Sequence, residues 1–525
     1  MKQDNESVIA NREHLGLTRI LLWMLALAAV VIFLLWWAVP AIYTGIDDYR
    51  MVGAFYIDEQ YNLLGLQWTV NNNFVPHSYG GLYFNIAAII MTEFLPPETL
   101  YDAKISALVM RSISLFSFLG IVILTMILSR NAKPAPGGLY AAILLMLSPV
   151  AMQYSILIHP DMLQVLFISI ALVALTKIQK SPSLPLLFFS ALISGLAMAA
   201  KYAGAFMLPV CFIVWLSAMK GKNPSFLKII SVGFIICLAG FLGFAIGSPR
   251  SLVDFSGFIK GLTHERNHIL MGHGFVSENS PWKWFELLFG PELIGLAPAI
   301  AITALIIALF FKNVRLSAVS ALLMWVLVFG TVLLTGVRVY WVHYLLPILP
   351  SICALTGHGI NVLWHIESSK KSWRILGKMA VALLFVFALL RFPQIMQNRQ
   401  DLIHKVEQSK VIAAGRWISD HYSRETTVFC TFDCYIPPEF ERLLKIQGDR
   451  FSPEIILKAG PQLIVTQEGD SAPFKNAADA GRYLDGGPKQ FEEKRRFFEA
   501  LESGKLPYRI VAKFSPGIIY ELIMP

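Results

Sequence analysis

Residues 20–46 read ILLWMLALAAVVIFLLWWAVPAIYTGI and carry no charge. Shortly after comes Phe55-Tyr56-Ile57-Asp58-Glu59-Gln60-Tyr61, with two adjacent acids among aromatic residues. An α-helix needs about 20 apolar residues to cross the hydrocarbon of a bilayer. The first stretch is long enough, and Gly137–Leu157, Ile229–Gly247, Leu293–Phe311 and Leu316–Gly336 are also uncharged. Over 525 residues the chain is 55% hydrophobic and 15% charged, with a mean hydropathy of +0.58. That composition excludes an ordinary soluble domain and predicts a polytopic α-helical membrane protein.

The net charge of +9 does not point to nucleic acid. The basic residues fall in short loops: Arg130 to Lys133, Lys177 to Lys180, Lys220 to Lys228, Lys312 to Arg315 and Lys370 to Lys378. Placing these loops and the leader (Lys2, Arg12, Arg19) in the cytoplasm satisfies the positive-inside rule. The crossings then alternate without conflict. They are Ile20–Trp37, Ile105–Leu128, Gly137–Tyr154, Met162–Thr176, Leu184–Ala199, Tyr202–Ala218, Ile229–Gly247, Leu293–Phe311, Leu316–Gly336, Val342–Gly357 and Ile375–Leu390. This gives eleven crossings, or up to thirteen if segments split. Tyr83–Phe94 is too short and polar to count, and is expected to lie at the interface of the first outer loop, residues 43–104. Residues 1–19 form a cytoplasmic leader and residues 20–391 a membrane domain, with an uncleaved anchor from Ile20. After Arg391 the chain becomes charged and patterned. Residues 392–525 are expected to form an extracytoplasmic α/β domain, with helices over Val411–Tyr422 and Gln490–Leu501 and strands at Thr427-Val428-Phe429, Leu463-Ile464-Val465 and Ile510-Val511-Ala512.

This topology brings acids and cations to one face. Carboxylates beside a bilayer are costly to desolvate, so Asp58 and Glu59 are candidates for chemistry as well as for helix capping. A positioned carboxylate can take the proton from a hydroxyl as that hydroxyl attacks a sugar carbon. His159-Pro160-Asp161 follows an apolar helix, and Pro breaks the helix while Asp can cap the next. Asp161 could equally face Asp58 across a shared divalent cation. Lys201, beside Tyr202, sits between two apolar helices and either snorkels to the interface or holds a phosphate. Arg250 and Arg338 lie at the same outer border, and phosphate favours such donors. Tyr340, His343 and Tyr344 add polar groups, though an aromatic belt explains the tyrosines almost as well. Asn85 is a weaker candidate in the first loop. His264, His268 and His273 cross Gly272 without zinc spacing, which favours a substrate-gating loop over a metal site.

Cys211, Cys237 and Cys353 lie in apolar segments and read as packing residues. Cys430 and Cys434 could pair only where the chain turns between them, because an i,i+4 pair on an extended strand is too far apart. The chain has no P-loop motif, no D-x-D triplet and no clear nucleophile triad in its tail.

The acidic pair in the first outer loop, the His-Pro-Asp turn, the Lys201-Tyr202 hairpin and Arg338-Val339-Tyr340 followed by His343-Tyr344-Leu345-Leu346-Pro347 resemble the GT-C glycosyltransferases. The nearest group is the protein-mannosyltransferase-like family 39 type, which includes the lipid A aminoarabinose transferase. The resemblance covers roughly Arg19 to Leu390 and rests on the order of short motifs. It implies an inverting hexosyl- or pentosyl-transferase taking sugar from a polyprenyl-phosphate carrier. The acceptor would be a lipid, glycan or protein outside the cytoplasm, and the setting a bacterial inner membrane with its lipids as partners. It assigns Asp58 as catalytic base, Glu59 as its partner and Asp161 as a second acid. Lys201 and Arg338 would meet the carrier phosphate. His159, Tyr202, His268, Tyr340 and His343 are expected around the substrate, and Arg250, which matches no family motif, joins them on physical grounds alone. No cofactor is implied beyond a possible divalent cation on Asp58 and Asp161. Asn85 departs from the aminoarabinose-transferase pattern, where glutamate follows the Tyr-Phe pair. The Trp-Trp-Asp signature of oligosaccharyltransferases is missing. A transporter or lipid flippase is the alternative, but such proteins show inverted repeats and midplane sites.

Overall fold

The structure is a computed structural model. It describes residues 24–25, 27–47, 52–53, 55–71, 79–130, 136–272, 274–277, 280–310, 319–366, 371–431, 451–484, 487–514 and 517–523. The leader, His273, Cys434 and the 312–315 basic loop lie outside these residues.

Among the described residues, four helices are long and apolar enough to cross a membrane: Ala103–Leu128, Asp161–Ile178, Phe226–Gly247 and Lys371–His404. Shorter apolar helices accompany them, including Leu27–Ile42, Leu184–Ala200, Pro298–Phe310 and Ser320–Gly336. Most expected segments are therefore helices, with three local differences. Gly137–Tyr154 is two helices, Gly137–Met146 and Pro149–Tyr154. Pro149 lacks the N–H that a continuous helix needs, and Ser148 caps the second piece by accepting from Ala151 N. Tyr202–Phe206 is a 3₁₀ turn before Met207–Ala218. Val342–Leu345 is also a 3₁₀ turn, and the helix after it runs Leu349–Trp364, later than the expected crossing. Tyr83–Phe94 is helical over Leu82–Phe94.

Small residues allow one close helix contact. Leu184–Ala200 packs on Phe226–Gly247, and a Cβ built on Gly195 would lie 2.0 Å from the Gly240 carbonyl oxygen. Backbones approach this closely only where side chains are absent. Two indole N–H groups tie distant segments of the bundle, from Trp37 Nε1 to Ile395 O (3.2 Å) and from Trp325 Nε1 to Pro347 O (2.8 Å).

The C-terminal α/β region holds a four-stranded sheet in the order β1-β2-β4-β3, with β1 Val428–Cys430, β2 Leu463–Gln467, β3 Tyr508–Phe514 and β4 Gly517–Leu522. β1 pairs parallel with β2, and the other pairs are antiparallel. β4 was not anticipated. Its Gly517-Ile518-Ile519-Tyr520 run is short, and its place between β2 and β3 makes it central. Helices Lys410–His421 and Gly487–Glu502 match the amphipathic patterns. Phe451, Phe491, Phe497 and Phe498 fill the space beneath the sheet. Cys430 is disulfide-bonded, while Cys211, Cys237 and Cys353 are free.

The loop after helix Phe255–Met271 is tied to this region. Phe275 forms an antiparallel bridge with Tyr483, Val276 N donates to Arg482 O (2.8 Å), and Leu484 N donates to Gly274 O (2.9 Å). The expected gating loop thus begins as a 17-residue helix carrying His264 and His268 and ends as a strap on the C-terminal region.

Candidate active site

Adjacent residues on a helix point about 100° apart, since 3.6 residues make a turn. Helix Ile57–Val70 uses this to separate its two acids. Glu59 turns inward and is fully buried against fully buried Arg111. Arg111 donates through Nη2 to Glu59 Oε2 (2.6 Å) and through Nε to Oε1 (3.1 Å). Ile158 N adds a third bond to Oε1 (2.7 Å). Arg111 Nη1 donates to the carbonyls of Ile42 (2.6 Å) and Thr44 (2.8 Å). One ion pair therefore joins the first helix, the acidic helix, the Ala103–Leu128 helix and the approach to His159. Glu59 has no open face, and its oxygens are bonded to Arg111 and Ile158 rather than turned toward Asp58.

Asp58 turns outward onto the wall shared by two cavities. The first, of about 540 Å³, is also lined by Lys201, His264, Glu265, His268, Trp341 and His343. The second, of about 640 Å³, is also lined by Tyr56, Gln153, Tyr154, Glu292, Tyr340 and His343.

Behind Asp58 lies a buried polar chain. His159 Nε2 stands 3.7 Å from Asp58 Oδ2 and 3.2 Å from the Tyr79 hydroxyl. His159 Nδ1 contacts the Asp161 carboxylate. Asp161 does not cap its helix. It accepts from Lys201 Nζ at 3.0 and 3.1 Å. Lys201 reaches it because its backbone turns extended at the end of helix Leu184–Ala200, with Gln164 Nε2 bonding the Lys201 carbonyl (2.8 Å). Its ammonium also lies 5.5 Å from the Tyr79 ring and 5.4 Å from the Tyr344 ring. Tyr79 comes this close because Gly80 follows it: a Cβ there would sit 1.9 Å from the Ala199 carbonyl oxygen. The Tyr154 ring stacks on His343 at 5.0 Å, and its hydroxyl meets that of Tyr56 at 2.8 Å. Burial pushes the Tyr56 phenol up to about 12, so it stays a neutral hydrogen-bonding group.

Of the residues singled out in the sequence, Asp58, Lys201, His268, Tyr340 and His343 line a cavity. His159 and Asp161, each 1% exposed, line neither and lie buried behind Asp58. Tyr202 lines neither because its hydroxyl is spent on the Tyr79 carbonyl (3.0 Å). Arg250, in the short helix Arg250–Val253, and Arg338, whose backbone N–H bonds Ile269 O, also line neither. Asn85 donates to Gly247 O (3.0 Å) and holds two helices together. The donor set does not fit a cation shared by Asp58 and Asp161, because the His159 ring stands between them and Lys201 occupies Asp161. Among the described residues no cluster of three or more metal-ligating groups forms. Sequence reasoning missed Arg111, Tyr79 and Glu292. Arg111 left a signal, a single charge inside the apolar run Ile105–Leu128.

Residues 99–246 match the family model of dolichyl-phosphate-mannose-protein mannosyltransferases. ArnT from Cupriavidus metallidurans, solved bound to undecaprenyl phosphate, superposes with a TM-score of 0.56, covering 95% of this chain and 97% of that one at 12% identity. The chain has the GT-C fold. The apo form of the same ArnT gives the same TM-score over the same shares of both chains. An Archaeoglobus fulgidus oligosaccharyltransferase in its apo form is also similar, at 12% identity and a TM-score of 0.48, over 88% of this chain and 72% of that one. No curated protein sequence matches. On the GT-C fold, Asp58 falls in the loop region before the matched segment, while Asp161 and Lys201 fall inside it.

Proposed function

We propose that this chain is an integral membrane glycosyltransferase that moves a sugar from a polyprenyl-phosphate carrier to an acceptor, with inversion and with Asp58 as base. The observation that carries this is Asp58 on the common wall of two cavities, backed by the His159–Asp161–Lys201 chain. A displacement at an anomeric carbon needs donor and acceptor on opposite sides of that carbon, and two cavities meeting at one carboxylate supply such a layout. The ArnT structure that this fold matches holds undecaprenyl phosphate, which supports a polyprenyl-phosphate donor here.

In the first cavity, Lys201, His264 and His268 would face the carrier phosphate. Lys201 is half neutralised by Asp161, so it is tethered where growing charge on the leaving phosphate would meet it. The acceptor hydroxyl would give its proton to Asp58 as its oxygen bonds the anomeric carbon. The bond from that carbon to the carrier phosphate breaks with its electron pair on the phosphate. His159 keeps Asp58 aimed, and Asp161 and Lys201 keep His159 aimed.

The basic loops and the disulfide at Cys430, which suits an oxidising compartment, support an extracytoplasmic setting for the site. Residues 20–391 would form the catalytic domain and residues 392–525 the domain over it. The test is incubation of the purified protein with a panel of radiolabelled polyprenyl-phosphate sugars, following loss of sugar from the carrier. Folded protein that turns over none of them sinks the proposal.

His159 gives a second measurement. His159→Ala should lower kcat by about 100-fold while the donor KM stays within threefold, because the residue positions Asp58 and does not touch substrate. His159→Gln keeps a donor near the Nε2 position and should recover much of the loss. A raised donor KM at constant kcat would instead make His159 a binding residue.

A further inference from the structure

The two cavities differ in charge. The first contains the Lys201 ammonium. Among the described residues that line the second, there is no lysine or arginine, and the acids are Asp58 and Glu292. The same lining holds the aromatic or amide groups of Tyr56, Tyr154, Tyr340 and Gln153, and the His343 imidazole shared with the first cavity. Tyr340 accepts a backbone bond from Ser280 N (2.6 Å), which holds its hydroxyl in place. The Glu292 backbone carbonyl is bound by Val150 N (3.2 Å), which anchors the residue at the cavity edge.

We propose that this second cavity is the acceptor subsite, and that it takes a sugar-like acceptor presenting a neutral hydroxyl and rejects one whose reacting end is a phosphate. The proposal rests on the glycosyltransferase reading above. Flat aromatic walls suit the apolar faces of a sugar ring, and phenol, amide and carboxylate groups suit its hydroxyls. A phosphate monoester carries about −1.5 to −2 at pH 7 and would enter against two carboxylates with no lysine or arginine among the described lining residues to offset them. A phosphate would also bring its own charge to the reacting oxygen and leave Asp58 with no proton to take. A hydroxyl needs that base: its O–H bond breaks toward Asp58 while its oxygen bonds the anomeric carbon and the carrier phosphate departs with the electron pair. Glu292 is then the specificity-determining residue.

The experiment uses the full-length protein with whichever labelled carrier-linked sugar it turns over, and two probe acceptors, an alkyl glycoside and the same glycoside as its phosphate monoester. The readout is the ratio of kcat/KM for the two, which is normalised within each variant and does not depend on how much protein folds. Wild type should favour the hydroxyl acceptor by about 100-fold, since like-charge juxtaposition costs several kcal/mol. Glu292→Lys should shrink that ratio at least tenfold, and Glu292→Gln should fall between. Equal use of the phosphorylated probe, use of neither probe, or a ratio unmoved by Glu292→Lys overturns the proposal. Absence of any donor turnover in wild type is a different failure, since it removes the enzyme reading on which the subsite depends.

Discussion

Asp58→Asn is expected to cut sugar transfer by about 10²–10⁴-fold, the range that a positioned general base contributes. The substitution is nearly isosteric, and Asp58 is not part of the buried ion pair beneath it. Folding should therefore be unaffected. The amide cannot accept the acceptor's proton, yet it still fills the wall between the cavities, so donor binding should persist. The decisive comparison is kcat against donor KM in detergent-purified protein, with thermal unfolding as the control. A variant that binds and turns over donor like wild type would leave the fold intact and remove Asp58 from the chemistry. The neighbouring Glu59→Gln tests the assignment from the other side. Its effect should fall on stability, because Glu59 reaches neither cavity.

Arg111→Met is the largest stability effect expected. It leaves the Glu59 carboxylate buried with no countercharge and frees the carbonyls of Ile42 and Thr44. Breaking one partner of a buried pair costs about 3–5 kcal/mol. Chemical unfolding in mixed micelles would read this as a shift of the midpoint. The double variant Arg111→Met/Glu59→Gln should regain part of the loss, since a neutral amide no longer needs a countercharge. Single and double variants that are equally unstable would show that the cost lies in the lost carbonyl contacts and not in the orphaned charge.

Much of the fold was legible because apolar length is a direct physical requirement. The runs at Ile105–Leu128, Ile229–Gly247 and Ile375–Leu390 became helices within a few residues of those limits. The convergence of Asp58, Lys201 and His343 was also legible, because the basic loops fix which turns share a face. What sequence could not reveal was direction. Asp58 and Glu59 are chemically alike in the sequence, and only the helix phase against Arg111 sends one to a cavity and the other into the core. His159 and Asp161 read as substrate contacts because polar residues after an apolar helix suggest an open surface. The structure folds the Tyr79 and Tyr154 rings over them. Arg250 and Arg338 share the face but not the pocket, since a topological rule gives a side of the membrane and no lateral position. Glu292 escaped notice as one acid in an apolar context. Only the break at Ser148-Pro149 and the bond from Val150 to its carbonyl bring it beside Tyr154.

The strap from Gly274 to Val276 is held to Arg482 and Leu484 by main-chain atoms. Side chains reinforce the seam: Arg482 Nη2 donates to Val276 O (3.0 Å), and the Phe275 ring lies 5.1 Å from that of Tyr483. Deleting the strip around Tyr483 would act at a distance: the helix bearing His264 and His268 would lose its moorings, and the first cavity would lose a wall without any residue of that wall being touched.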